Sequence, residues 1–131
     1  MSLYLTIFDG DNEINGWTLG HYSDFGCFRE TISRNLNSRD YPTLMEHSDC
    51  DGEWPVKDLP NLRNELQQIG ERFKNLPVEA PKGAFEHTAE FRRNARSLYD
   101  CYHNVDGENI FEAFIALCDE AIRCNKPILL Q

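Results

Sequence analysis

The chain has 131 residues, enough for one domain that buries roughly two thirds of the surface its unfolded form exposes. Its 13 Lys and Arg against 22 Asp and Glu give a formal charge of -9, which repels nucleic acid and anionic lipid and favours a basic partner. No run of eighteen apolar residues occurs, which argues against a transmembrane helix. The five cysteines, Cys27, Cys50, Cys101, Cys118 and Cys124, are an odd number without a CxxC pair, so they speak against a secreted disulfide framework or a zinc ribbon and are expected to be reduced thiols. The N-terminus has no basic region and meets Asp9 before a signal-peptide core is complete. The expectation is a soluble, cytoplasmic protein with a single domain over 1–131.

Ser2 to Phe8 places Leu3, Leu5 and Ile7 on one face and Tyr4, Thr6 and Phe8 on the other, the pattern of a central strand covered on both sides. Asp9-Gly10-Asp11-Asn12 is a turn, and Ile14 to Leu19 is a short, irregular second strand. Tyr22, Phe25, Phe28, Ile32 and Leu36 recur at spacings of three and four, which predicts a helix from Ser23 to about Asn37 with Ser23 or Asp24 near its N-cap. Tyr41 to Glu46 is expected to return as a strand with Pro42 confined to its start. Leu59, Leu62, Leu66, Ile69, Phe73 and Leu76 give the strongest period in the sequence, a helix from about Leu59 to Asn75 with Asp58 near its N-cap.

Pro77 to Gly83 is a loop, and Ala84 to Ala95 a short helix. Ser97 to Val105 alternates in the manner of a strand. Ile110, Phe111, Phe114, Leu117, Cys118, Ala121 and Ile122 predict a third main helix ended by Asn125 and Pro127, after which Pro127 to Gln131 docks as a last strand. The expected architecture is α+β: a small mixed sheet of about four strands with three main helices, in the order β, α, β, α, short α, β, α, β.

The chemistry concentrates in His47-Ser48-Asp49-Cys50-Asp51-Gly52-Glu53-Trp54. In an extended backbone Asp49, Asp51 and Glu53 project on one side, with Gly52 offering a turn. Carboxylates this close need a cationic answer: a metal, an internal Arg or Lys, or a partner's basic surface. The bland answer is the partial positive charge at the N-terminus of the following helix. The approach to an EF-hand loop is poor, because the first ligand would be His47 and the last Asp58. Cys50 among acids is a blunted nucleophile. No HExxH, Walker loop, GxGxxG or GxSxG elbow occurs, so no cofactor or metal is implied. An alternative reading makes His47, Asp49, Asp51 and Glu53 a metal-dependent hydrolytic or small-ligand site, which requires those acids in a pocket.

Across nearly the whole chain, in order, the segments Leu3 to Phe8, Tyr22 to Phe25 with Phe28-Arg29, Pro42 to Met45, His47 to Trp54, Ser97 to Cys101, Val105 to Glu108 and Pro127 to Gln131 resemble the immunity protein seventy family of bacterial polymorphic-toxin systems. The His-Ser-Asp-x-Asp-Gly-Glu-Trp block is the most specific part. The resemblance implies a protein that binds and neutralises a cognate toxin and catalyses no reaction. A basic toxin fits the charge, and a nuclease fits if carboxylates stand in for phosphates. The expected contact residues are Asp49, Asp51, Glu53 and Trp54, with Asp106 and Glu108 as a second acidic element nearby.

Overall fold

A computed structural model describes residues 2–48, 51–79, 94–104 and 106–131. Strands β1 (Ser2–Asp9), β2 (Asn12–His21), β3 (Glu53–Trp54) and β4 (Ile128–Leu130) form one sheet in the order β2-β1-β4-β3. The helices are α1 (Tyr22–Asn35), the one-turn α2 (Pro42–Met45), α3 (Leu59–Phe73) and α4 (Ile110–Cys124). The α+β class, four strands and three main helices agree with the sequence reading. The pairing differs from the mixed sheet expected, because β1–β2, β1–β4 and β3–β4 are all antiparallel.

β1 is central, as its two apolar faces predicted. Leu3, Leu5 and Ile7 are fully buried, and with Trp17, Leu19, Trp54, Ile128 and Leu130 they face the helices in one core. Tyr4, Thr6 and Phe8 point the other way, outside that core; Thr6 is fully buried and Tyr4 and Phe8 are partly buried, so the second face is covered in part. β2 is longer than the irregular strand read from the sequence. The turn at Gly10, with φ +63°, brings Asn12 opposite Asp9, and pairing with β1 then carries the strand through Asn15-Gly16. At Gly16 the Tyr4 phenol lies across the backbone, and a Cβ there would overlap its hydroxyl unless the ring moved.

Two expected strands are helical. Tyr41 to Glu46 contains α2, because the buried Glu65 carboxylate on α3 accepts the N–H groups of Thr43 at 3.2 Å and Leu44 at 3.0 Å. That acceptor satisfies first-turn donors that a strand would have paired with a neighbour. Ser97 to Val105 is not a strand either: Leu98–Cys101 is a 3₁₀ turn, followed by a single bridge between His103 and Asn109. A three-residue turn brings Leu98 and Cys101 to one side, and both are buried.

α3 and α4 lie where their periods placed them. The N-cap of α1 is His21 rather than Ser23 or Asp24; the buried Asp24 carboxylate instead accepts the His21 N–H at 2.6 Å. Asn109 caps α4 by accepting from the Glu112 N–H, and Asn125 ends it in the left-handed conformation at φ 57°. The helices meet through Phe28, Phe73, Tyr102 and Phe111, whose rings pack edge-on, with the Phe28 centroid 5.4 Å from both Tyr102 and Phe111. The helix expected over Ala84 to Ala95 lies outside the described residues except for its last two positions, where Asn94 is in a turn.

Candidate partner-binding surfaces

The segment after α2 is clasped from inside. The His47 ring sets Nδ1 2.9 Å from the Ser48 carbonyl oxygen and Nε2 2.7 Å from that of Glu53, and it lies on the Trp54 indole with centroids 4.3 Å apart. With both nitrogens turned to backbone carbonyls, His47 is occupied in holding the loop closed. Trp54 is 1% exposed. Its indole N–H donates to the Thr43 carbonyl at 3.0 Å and its ring packs on Phe114. Trp54 therefore spends its apolar area on the core, and the expected contact through its ring is corrected: β3 turns alternate side chains to opposite faces, and Trp54 takes the inner one.

Asp51 is exposed and accepts the Ser48 hydroxyl at 2.7 Å. Gly52, at φ +84°, turns the chain into β3, where Glu53 is exposed opposite Leu129. Asp49 lies outside the described residues. Asp58 occupies the N-cap position of α3 without a side-chain cap bond. The concavity beside the loop is lined by Pro42, Thr43, Glu46, His47, Trp54 and Asp58, so neither Asp51 nor Glu53 enters it. Among the described residues no three His, Cys, Asp or Glu side chains are grouped to hold a metal ion.

Asp106 and Glu108 are both exposed and sit in a turn built by Asn104. The buried Asn104 side chain accepts the N–H groups of Asp106 and Glu108 at 3.1 and 2.9 Å and donates to the Thr18 carbonyl at 2.9 Å. That last bond ties the turn to β2, whereas Asp51 and Glu53 lie at β3. The two acidic elements are thus tied to opposite edge strands, β2 and β3, with β1 and β4 between them, and are not neighbours as expected.

A third acidic group escaped the sequence reading. Glu13 on β2 lies with Tyr4 and Thr6 on the sheet face turned away from the core. It accepts both hydroxyls, that of Thr6 at 2.9 Å. The Tyr4 hydrogen bond, helped by Thr6, holds the Glu13 carboxyl below its usual range, and the same bond pushes the Tyr4 phenol up. Only the strand register, which sets Glu13 opposite Phe8, brings these side chains to one face. None of the four strands contains Lys or Arg, while Asp9, Glu13 and Glu53 are acidic.

A groove of about 280 Å³ runs where β2 meets α4, lined by Trp17, Asp106, Glu108, Ala113, Ala116 and Leu117 among others. A wider one, about 840 Å³, follows the outer side of α3 past Asn64, Gln67, Gln68 and Glu71 and includes none of the residues singled out from the sequence. No helix among the described residues is long and apolar enough to cross a membrane.

The fold is a small α+β domain whose strands carry carboxylates and no Lys or Arg, with those acids displayed on the surface rather than gathered in a cavity. The chain belongs to the Immunity protein 70 family, whose family model matches residues 3–130. No curated protein and no solved structure gives a significant match.

Proposed function

We propose that this protein binds a cognate toxin and neutralises it by occupation, presenting carboxylates to a basic surface of that toxin, and that it turns over no substrate. Membership of the immunity family supplies the class of partner. The observation that carries the charge argument is the absence of Lys and Arg from the four strands of a chain with a formal charge of -9. Such a surface attracts a basic partner over distance and disfavours acidic competitors. A nuclease toxin fits this chemistry, because its phosphate-binding groove takes carboxylates in place of phosphates. The contact acids are Asp51 and Glu53 at one edge, with Asp49 beside them in sequence, and Asp106 and Glu108 at the other. Trp54 and His47 hold the first pair in place from within.

The test is affinity capture from the native host at low and high salt, with bound proteins identified by mass spectrometry. The expected result is a basic toxin domain retained at low salt and released at high salt, whose toxicity is suppressed when the two proteins are produced together. Failure to suppress the toxicity of the captured protein, or capture of none under either condition, would overturn the proposal.

A further inference from the structure

Resting on the reading as a toxin-binding protein, we propose that the toxin docks on the sheet face turned away from the helices, laying apolar area on Phe8 and Leu129 and a lysine or arginine on Glu13. Strand pairing sets this face out as a grid. Thr6 on β1 stands opposite Gly16 of β2 and Leu129 of β4, and Leu129 stands opposite Glu53 of β3, so these four residues form one row on one face. Tyr4 and Phe8 flank Thr6 along β1, and Glu13 lies opposite Phe8. The buried apolar residues of α1, α3 and α4 are all spent in the core on the other side. Tyr4, Phe8 and Leu129 are neither part of that core nor packed on it, and each is half-buried around a fully buried Thr6.

An apolar floor with charged groups beside it has the make-up of a protein interface, where an apolar centre is ringed by a polar rim. Glu13 is set to receive a cation. The Tyr4 and Thr6 hydroxyls both donate to its Oε1, which fixes the exposed carboxylate and leaves Oε2 to a partner. A side chain already held in place loses little freedom when it binds. Among the described residues neither Glu13 nor Glu53 is in an ion pair, and the strands that carry them hold no Lys or Arg. The same charges choose the occupant. A second copy would set these carboxylates against a chain of formal charge -9, whereas a basic toxin meets them with the opposite sign.

The full-length protein, with its leucine methyl groups labelled with ¹³C, would be mixed with a neutral gadolinium chelate, which broadens the signals of surface groups. The Leu129 methyls should broaden, while those of Leu3 and Leu5, fully buried on the opposite face of β1, stay sharp. Adding the toxin domain captured from the host should restore the Leu129 signals. Leu129 methyls that are sharp in the free protein at every concentration would show the face taken up within the chain, and methyls that sharpen with concentration would show a second copy on it. Either result overturns the proposal. Methyls still broadened in the saturated toxin complex overturn the docking face and leave neutralisation standing.

Calorimetry with the same toxin domain then weighs single residues. Glu13→Gln keeps an oxygen for both hydroxyls and loses the charge, and it should weaken binding about tenfold. Phe8→Lys sets a like charge on the floor and should weaken it about a hundredfold, with folding checked by the melting temperature. Glu71→Gln removes one charge from the outer side of α3 and should change affinity by less than about twofold. Equal losses in Glu13→Gln and Glu71→Gln would reduce the effect to net charge and overturn the assignment to this face. If Phe8→Lys does not fold, Glu13→Gln against Glu71→Gln decides alone. No protection of cells by the unaltered chain overturns neutralisation, and with it the toxin as the occupant.

Discussion

Glu65, although it lies on α3, supports the acidic loop through α2. Its buried carboxylate takes the N–H groups of Thr43 and Leu44, α2 places the Thr43 carbonyl, and that carbonyl accepts the Trp54 indole N–H that anchors β3. In Glu65→Gln one oxygen remains to accept while the amide NH₂ faces a backbone donor. One hydrogen bond to a charged group is lost, at a cost of about 2 kcal/mol. Glu65→Ala strands both donors and should cost about 4 kcal/mol. For a chain of this size 1 kcal/mol moves the melting temperature by roughly 3–4 °C, so Glu65→Gln should melt about 7 °C lower. Thermal denaturation followed by circular dichroism measures the total, and amide hydrogen exchange shows where it is lost. The Thr43 and Leu44 amides should exchange faster, while the Leu66 and Ile69 amides within α3 change only with global stability. A Glu65→Gln variant that melts within 1 °C of the unaltered protein, or that leaves Thr43 and Leu44 equally protected, would refute this account of why the segment is helical.

Gly16→Ala should cost about 1–3 kcal/mol by overpacking, since its Cβ meets the Tyr4 phenol; combining it with Tyr4→Leu should recover part of that loss in urea denaturation. Tyr4→Phe should raise the Glu13 titration toward the ordinary 4.5, because the Tyr4 bond is the main cause of its lowering; carboxyl-carbon NMR would follow this, and an unmoved midpoint would count against that cause. With Glu13 lowered in the fold, its contribution to stability is present above pH 4.5 and fades as pH falls through the folded value. His103 titrates below 6.5 because burial outweighs the opposing pull of Asp100 and Glu112. Its preference for the neutral ring supports the fold above pH 6.5 and is lost on acidification through its lowered value. His103→Gln should therefore flatten the dependence of melting temperature on pH just below 6.5, and an unchanged slope would show that His103 is not its source.

The period of apolar residues in α3 and α4 was enough to place both helices, because a helix that buries one face on a core must repeat at three and four whatever it packs against. The same holds for β1, whose two apolar faces marked it as central, and for the stop at Asn125, where a left-handed residue ends α4. Net charge and the His47 to Trp54 block pointed to a basic partner and to the immunity family. Register and contacts distant in sequence lay beyond such local signals. Pro42 to Met45 could have been strand or helix until Glu65, more than twenty residues away, supplied the acceptor for its first turn. Trp54 looked like a contact residue beside its acids, but a strand of alternating faces sends Glu53 outward and Trp54 into the core. Sheet order set Asp51 and Glu53 apart from Asp106 and Glu108, and the register of β1 with β2 brought Glu13 to Tyr4. Charge and periodicity are properties of residue types and near neighbours, so the sequence determined them by itself, whereas which carboxylates share a surface is set by strand pairing, and only the folded chain decides that.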